Sequence, residues 1–270
     1  MSIQIEYENE DLVVINKPAG FPVYSTKKHA DEESVLTWFL EKYPKAKAVG
    51  DPERPGVVHR LDKQTSGLLV LAKNKEAFEY LKDLFRNREI SKEYLVLVYG
   101  EMPKHGIIEK PLTKIGHEGQ SRVRVDEKGR ESVTEYWAMG FFKRTPPSPS
   151  LIKEGVQGEF QTVDTFTLLR IKLHTGRTHQ IRVHMASEKH PVMGDNLYGK
   201  PWSQKLADIL PRQFLHAGRL EFKLMDGTWL EVEAELPEEL KKVLSNLEYP
   251  SLFPSPGEGR DEGRGRNLDS

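Results

Sequence analysis

Short apolar segments that end at turn-forming residues constrain the fold of this 270-residue chain more than any other feature. Eight have the length and the β-branched or aromatic content typical of strands, among them LVVIN, GLLVLA, EYLVLVYG and TFTLLRIKL. The last two, LHAGRLEFKL and TWLEVEAEL, flank the Asp226-Gly227 pair, which is a strong hairpin signal. Because strands seldom alternate with helices along the chain, we predict an α+β domain built on a mixed, mostly antiparallel sheet with flanking helices.

Four further segments carry helical signals. Residues 33–43 and 75–87 each place their apolar side chains on one helical face. Thr178 is expected to cap a short helix over residues 179–188, and Pro237 is expected to begin a helix that ends near residue 247.

The remaining stretches predict how the chain is divided. Residues 101–131 are polar and are predicted to be irregular, whereas the proline-rich stretch 143–162 is predicted to be an exposed insertion. Residues 251–270 are rich in glycine, proline and charge, so we expect a disordered tail. Residues 1–250 would then form a single domain.

The composition excludes several kinds of chemistry. The chain has no cysteine, which excludes disulfides, thiolate nucleophiles and cysteine-ligated metal sites. No stretch approaches the roughly 18 apolar residues of a membrane-spanning helix. The N-terminus lacks the basic start and apolar run of a signal peptide, so we expect a cytoplasmic protein with no membrane partner.

The charge is spread unevenly along the chain. The formal net charge is −1, but residues 231–270 hold ten acidic and five basic residues, which leaves a balance of +4 on residues 1–230. Residues 170–190 alone contain five Lys or Arg, one acid and four of the nine His. A phosphate backbone would be attracted by this local concentration of positive charge, although a solvated basic face would give the same pattern.

A polar run, HRLDKQTSG over residues 59–67, directly precedes the buried segment GLLVLA. Loops at strand ends are where a rigid scaffold usually places reactive side chains. Asp62 lies between Arg60 and Lys63, a setting that favours an ionised carboxylate acting as nucleophile or base. The same residue types are also ordinary in turns, so composition alone leaves both interpretations open.

A second polar segment, LHTGRTHQIRVHMASEKHPVMGDNLYG, covers residues 173–199. Arg177 and Arg182 lie near the start of the predicted helix, where backbone N–H groups favour anions. His174, His179 and His184 are spaced by five residues, which does not put them on one helical face, and HExxH is absent. Phosphate or carboxylate contact is therefore favoured over a metal site, with a solvated helix end as the alternative.

Two smaller segments complete the pattern. NKPAG, residues 16–20, ends the second strand in a Pro/Gly turn and has no further signal of its own. Tyr94, in KEY at the start of a strand, is suited to stacking on a base or to proton transfer, although a strand tyrosine is more often part of the core.

Taken together, these segments resemble the RluA-type family of pseudouridine synthases from about Ile5 to Leu240. The matching pieces follow in the family's order: NKPAG, HRLDKQTSGLLVLAK, KEYLVLVYG, GRESVTEY, TGRTHQIRVHMASEKHPVMGDNLYG and LHAGRLEF. HRLD followed by TSG, with THQIRVH far downstream, is a very specific combination.

The resemblance implies an enzyme that isomerises specific uridines in structured RNA, transfer or ribosomal, to pseudouridine. It implies no required cofactor or metal, and a central cleft that binds the RNA. It implies that Asp62 is essential, that Arg182 is its ion-pair partner and that Tyr94 packs on the target uracil. Asp62 could attack the sugar, attack the base or assist a glycal intermediate, and the sequence does not separate these routes. We expect further substrate contacts from His59, Arg60, Thr65, Arg177, His179 and Gln180.

The same resemblance indicates which part of the chain would hold the RNA. Many members carry a small RNA-binding domain before the catalytic one, and because NKPAG begins at residue 16 we expect none here. The catalytic domain, expected to be a monomer, must then grip the RNA itself. The candidates are the basic residues of 101–131: Lys104, Lys110, Lys114, Arg122, Arg124, Lys128 and Arg130.

Two other functions stay open. The first is a protein that binds and remodels RNA on the same fold with little or no catalysis, which the joint presence of Asp62, Tyr94 and Arg182 disfavours. The second is a metal-dependent hydrolase that uses His59, Asp62, His179 and His184.

Overall fold

The structure is a computed structural model that describes residues 3–25, 32–116, 122–144, 163–199 and 210–249. Its strands are β1 (Gln4–Glu8), β2 (Leu12–Lys17), β3 (Ser66–Ala72), β4 (Ser91–Tyr99), β5 (His105–Glu109), β6 (Leu112–Ile115), β7 (Arg122–Val125), β8 (Val133–Arg144), β9 (Asp164–Leu173), β10 (Leu215–Lys223) and β11 (Trp229–Glu233). Its α-helices are α1 (Val35–Lys42), α2 (Lys75–Asn87), α3 (Gln180–Ser187) and α4 (Glu238–Ser245).

Nine of these strands form one sheet, in the order β1-β2-β3-β10-β4-β9-β8-β5, with β11 also paired to β10. Every pair is antiparallel except β3 with β10, which run parallel. The predicted α+β class with a mixed, mostly antiparallel sheet is therefore confirmed. Among the described residues, no helix combines the length and the apolar character needed to cross a membrane.

The core lies where α1 and α2 cover the sheet. All seven residues of β3 are buried, and Phe39 of α1 and Leu81 of α2 are fully buried in the same cluster. Asn74 caps α2 by accepting a hydrogen bond from the backbone N–H of Ala77, so this helix begins and ends where the sequence predicted. Burial of β3 on both faces explains why GLLVLA is apolar throughout instead of alternating.

The parallel contact between β3 and β10 depends on Gly67, which pairs with Ala217. Gly67 has a φ of 112°, and a Cβ added there would lie 2.2 Å from the carbonyl oxygen of Ala217. Only glycine permits both the conformation and the close approach. The polar run before β3 is thereby held against a strand near the C-terminus.

The prediction that residues 101–131 are irregular is wrong. This stretch contributes β5 to the sheet and contains a separate hairpin, β6–β7. Leu112 and Val123 of the hairpin pack against Val183 of α3. Its strands were not recognised because only one face of a short, highly charged hairpin is buried, which leaves too few apolar residues to give a period of two.

The start of α3 also differs from the prediction. Its N-cap is His179, not Thr178, and no side chain caps the helix. His179 has a φ of 54°, in the left-handed region, which turns the chain into the helix one residue later than expected. Residues 145–162 of the predicted insertion and residues 251–270 of the predicted tail lie outside the described residues.

Candidate active site

A cleft of about 980 Å³ opens beside the central strands. It adjoins a smaller pocket of about 60 Å³, the inner pocket. The residues that line both are Arg60, Asp62, Tyr94, Leu173 and Arg177. They come from the HRLD loop, from β4 and from the start of the 173–199 segment. Three stretches that are distant in sequence therefore meet at one place.

The loop that carries Asp62 is anchored through its own backbone. The backbone N–H of Gly20 and the Nζ of Lys17 donate to the carbonyl of Lys63, at 2.9 Å and 3.1 Å. Arg212 Nη1 donates to the carbonyl of Gln64 at 3.0 Å. The NKPAG turn thus has a structural task that the sequence did not reveal, which is to hold the Asp62 loop.

Lys17 is fully buried and binds backbone carbonyls. Its Nζ also donates to the carbonyls of Pro18 and Phe21, both at 2.8 Å, so all three of its protons are used. Burial, followed by the nearby charge of Arg212, lowers the pKa of Lys17 to about 7. This lysine fastens the turn and does not face the cleft.

Arg182 connects two carboxylates. Its Nη1 donates to Asp62 Oδ2 at 3.0 Å, while Nε and Nη2 donate to the two oxygens of Asp195 at 2.7 Å and 2.9 Å. Asp195 is fully buried and also accepts the backbone N–H groups of Leu197 and Tyr198. The predicted pairing of Arg182 with Asp62 is therefore present, but the stronger, two-pronged contact is with Asp195.

The electrostatics of the buried pair keep Arg182 and Asp195 ionised. Burial opposes charge on Arg182, but the hydrogen bonds and charges of Asp195 and Asp62 outweigh it and raise the pKa of the guanidinium. Burial acts to raise the pKa of Asp195, and the contact with Arg182 lowers it overall. A fixed positive charge therefore faces Asp62 across the pH range in which proteins are folded.

His179 approaches the other oxygen of Asp62, with its Nε2 3.7 Å from Oδ1. Its Nδ1 lies 2.9 Å from the hydroxyl of Tyr198, which accepts the backbone N–H of Val123 from the β6–β7 hairpin. Burial lowers the pKa of His179 despite the attraction of Asp62, so the ring is neutral at pH 7. Through Tyr198, the hairpin and the Asp62 region are hydrogen-bonded to one another.

Tyr94 belongs to the core and to the cleft at once. Its side chain is 8% exposed, and its backbone lies between Ile171 of β9 and Ala217 of β10. It lines the cleft and the inner pocket together with Asp62. Burial and the charge of Asp62 raise the pKa of its hydroxyl, which keeps it protonated as a hydrogen-bond donor.

Three of the expected substrate contacts are occupied by protein groups. The ring of His59 stacks on Phe85 at 4.6 Å, and its Nε2 accepts the backbone N–H of Val70. Burial, then Lys92, lowers the pKa of His59 to about 3, so this ring is neutral. Thr65 is buried and binds Gln213.

Gln180 is the third of these residues. It is buried, and its side-chain amide makes four hydrogen bonds, to Thr175, the Arg177 N–H, the Val133 carbonyl and Thr134. These contacts hold the loop before α3 in place. Contact of His59, Thr65 or Gln180 with the substrate remains a prediction.

The two cleft arginines are less constrained. Arg60 is exposed and donates to the hydroxyl of Tyr24 at 2.6 Å. Arg177 donates through Nε to the carbonyl of Glu131 at 3.2 Å. Each guanidinium has further N–H groups that bind no other described residue, so both are available to a ligand in the cleft.

Asp195 and Tyr198 were not predicted as site residues from the sequence. Asp195 follows the apolar pair Val192-Met193 within GDNLYG, and a carboxylate in an apolar setting is a signal, because burial requires a cationic partner. Only the fold brings that partner, Arg182, to it.

The described part of the chain contains no group of three or more His, Asp or Glu arranged to hold a metal ion. His184 is fully buried, with Nδ1 against the hydroxyl of Thr134 and Nε2 against the carbonyl of Lys110. Both of its ring nitrogens are therefore occupied by protein groups.

Comparisons with known proteins agree with this fold and show the family. The family model described as RNA pseudouridylate synthase matches residues 11–187. The Aquifex aeolicus protein named "Uncharacterized RNA pseudouridine synthase" is 36% identical over 255 residues, covering 92% of this chain and 74% of that protein. "Ribosomal large subunit pseudouridine synthase D" of Vibrio cholerae is 35% identical and covers 90% of this chain and 70% of its own length.

Solved structures give the same fold. "Human RNA Pseudouridylate Synthase Domain Containing 1" superposes with a TM-score of 0.71 at 24% identity, covering 94% of this chain and 91% of that chain. "Human RNA Pseudouridylate Synthase Domain Containing 4" gives a TM-score of 0.63 at 25% identity, covering 92% and 94%.

Fold and sequence together define the class as isomerases that act on RNA. The chain belongs to the RNA pseudouridylate synthase family. It is a pseudouridine synthase, and the resemblance drawn from its motifs is confirmed.

Proposed function

We propose that this enzyme converts specific uridines of structured RNA to pseudouridine, with Asp62 as the essential carboxylate and with no metal or cofactor. The observation that carries the proposal is the 3.0 Å contact between Asp62 and Arg182 at the place where the cleft meets the inner pocket. A carboxylate in contact with a fixed cation, beside a cleft lined with basic residues, is suited to a substrate that is itself a polyanion.

The reaction rearranges the nucleotide without adding atoms. The bond from N1 of uracil to C1′ of the ribose breaks, the base turns, and a bond from C5 to C1′ forms. C5 loses its hydrogen and N1 ends with a proton. Asp62 acts by attack on the sugar, by attack on the base or by assisting a glycal intermediate, and its contact with Arg182 suits all three because each needs the ionised carboxylate.

Tyr94 is proposed to face the target uracil. Its ring lies at the border of the core, so it is held rigidly, and an aromatic face offsets part of the stacking that a base loses when it leaves the RNA stack. Its hydroxyl stays protonated, and we assign it a part in moving the proton between C5 and its acceptor.

The β6–β7 hairpin is proposed to grip the RNA outside the pocket. Lys114 and Arg122 of the hairpin, and Lys128 in the turn just after it, are exposed and form no ion pair with the described residues. By contrast, Lys110 pairs with Glu188 at 2.6 Å. The hydrogen bonds through Tyr198 support a hairpin that is fixed relative to Asp62.

The proposed substrate is large-subunit ribosomal RNA, with transfer RNA as the other candidate. The proposal is supported by relatives whose names specify the ribosomal large subunit and whose sequences align over about nine-tenths of this chain.

The test is to map pseudouridine in ribosomal and transfer RNA from cells with and without the gene, then to restore the gene as wild type or as Asp62→Asn. The expected result is the loss of one or more pseudouridines, restored by wild type only. A phenotype restored equally by Asp62→Asn, with no pseudouridine lost, would instead favour an RNA-remodelling protein. Activity of the purified enzyme should also survive EDTA, and its loss would contradict the metal-free proposal.

A further inference from the structure

Lys17 is fully buried and Lys92 is half-buried, and their surroundings also differ. Lys17 uses all its protons on carbonyls, whereas Lys92 Nζ makes no hydrogen bond and no ion pair with any described residue. Burial lowers the pKa of Lys92 to about 8, so it is still mostly charged at pH 7. Lys92 therefore has three N–H donors for which no described residue is an acceptor.

The position of Lys92 directs those donors into the cleft. It lies two residues before Tyr94 on β4, and alternate residues of a strand share a face, so both side chains line the same cleft. The Nζ lies 5.2 Å from the centroid of the Phe85 ring. It also lies 3.8 Å from where a Cβ on Gly176 would be, beside the loop that carries Arg177.

No carboxylate of the cleft lining is left to neutralise Lys92. Among the described residues, the lining holds seven Lys or Arg and three Asp or Glu. Asp51 pairs with Arg54 at 2.8 Å, Glu79 pairs with Lys82 at 3.0 Å, and Asp62 pairs with Arg182. A half-buried cation with no free counter-charge among the described lining residues is stabilised when an anion binds.

We propose that Lys92 is a phosphate-binding residue, whose ammonium donates hydrogen bonds to a backbone phosphodiester of the RNA at or next to the flipped uridine. The inference rests on the proposed function, because that function puts the target base against Tyr94. With the base there, the phosphates of the same nucleotide come within reach of the neighbouring side chain on the same strand face. A lysine ammonium is a strong donor to phosphate, and the partly enclosed setting strengthens the contact.

The first test is the salt dependence of RNA binding by Lys92→Met, measured in an Asp62→Asn background so that no product forms. Methionine keeps the packing against Phe85 and removes the charge. We expect affinity at 0.1 M salt to fall roughly ten-fold or more, as for the loss of a charged hydrogen bond. The slope of log affinity against log salt should fall by about 0.7 to 0.9, the value for one phosphate contact.

Lys242→Met is the matched control, because Lys242 is exposed on α4 and does not line the cleft. It should leave both the affinity and the slope unchanged. Lys92→Arg should restore most of the slope. If Lys92 had only a structural role, Lys92→Met would instead change thermal unfolding and leave the RNA affinity and the salt slope unchanged.

The second test locates the phosphate. RNA oligonucleotides with a single neutral methylphosphonate on the 5′ or the 3′ side of the target uridine are bound to both proteins. At the phosphate that Lys92 contacts, Lys92→Met should cause no further loss, because the two changes remove the same interaction. Additive losses at both positions would overturn the assignment.

The outcomes separate this inference from the proposed function. If the wild-type enzyme makes no pseudouridine, the proposed function fails. If the wild type is active and Lys92→Met binds RNA with unchanged affinity and slope, only the phosphate assignment fails. A loss of affinity with an unchanged salt slope would point to a contact with the base and would also overturn the assignment.

Discussion

Arg182 gives two of its three guanidinium nitrogens to Asp195 and keeps one for Asp62. Asp195 is fully buried, while Asp62 borders the cleft. The guanidinium is therefore oriented from inside the protein and offered to the candidate catalytic carboxylate at a fixed angle. Asp195 acts through Arg182 as a positioning residue.

This relationship predicts the effect of Asp195→Asn. The amide cannot accept both guanidinium contacts, so a buried positive charge loses its main partner. We expect the free energy of unfolding to fall by about 3 kcal/mol or more, the scale for breaking a buried ion pair. Urea unfolding measures it, with Asp83→Asn on the exposed side of α2 as the control that should change little. Unchanged stability would show that Asp195 does not anchor Arg182.

Arg182→Lys should not restore the turnover that Arg182→Ala removes. A single ammonium cannot contact Asp195 with two nitrogens and Asp62 with a third. We expect the lysine variant to be folded but to turn over at least 10-fold more slowly, on the scale of one lost charged hydrogen bond. Single-turnover release of tritium from RNA labelled at C5 of uridine is the measurement, and wild-type rates in the lysine variant would argue against this geometry.

Tyr94→Phe separates the two tasks proposed for Tyr94. Because the ring is retained, RNA affinity should stay within two-fold of wild type, roughly the scatter of a neutral change. If the hydroxyl moves a proton, turnover should fall by roughly 10²-fold, the usual scale for a lost acid–base group. Tritium release and RNA binding are measured on the same variant. Full turnover would mean that stacking is the whole contribution.

The hairpin prediction uses its unpaired cations. Changing Lys114, Arg122 and Lys128 to Gln should weaken RNA binding and lower the salt slope by up to about 2 to 3, since each phosphate contact contributes about 0.7 to 0.9. The control changes Lys45, Lys47 and Lys242, which are exposed and outside the cleft lining. Equal behaviour of the two triple variants would show that the hairpin faces away from the RNA.

Much of the fold could be predicted from local patterns. Each strand of the large sheet except β5 was indicated by its apolar residues, and α2 was predicted to the residue. The β6–β7 strands were not, because among the described residues their apolar side chains pack against Val183 of α3 and Tyr198, both distant in sequence. Local periodicity does not report such a contact.

The candidate site could be predicted only in part. Motif spacing picked out Asp62, Tyr94 and Arg182, and the fold brings all three together. The roles of Lys17, Asp195 and Lys92 could not be predicted, because each depends on burial. The same ammonium group is a structural clamp in Lys17 and an unsatisfied donor in Lys92, and only three-dimensional surroundings distinguish the two.

The parallel contact of β3 with β10 affects when the Asp62 loop can fold during synthesis. The Asp62 loop is fixed by Arg212, and Ser66 at its end bonds His216 at 2.9 Å, roughly 150 residues later in the chain. During synthesis, the HRLD segment leaves the ribosome long before these anchors exist. A nascent chain would therefore carry the candidate catalytic carboxylate on a loop that only the NKPAG turn holds, and the loop would gain its remaining anchors only after β10 has been synthesised.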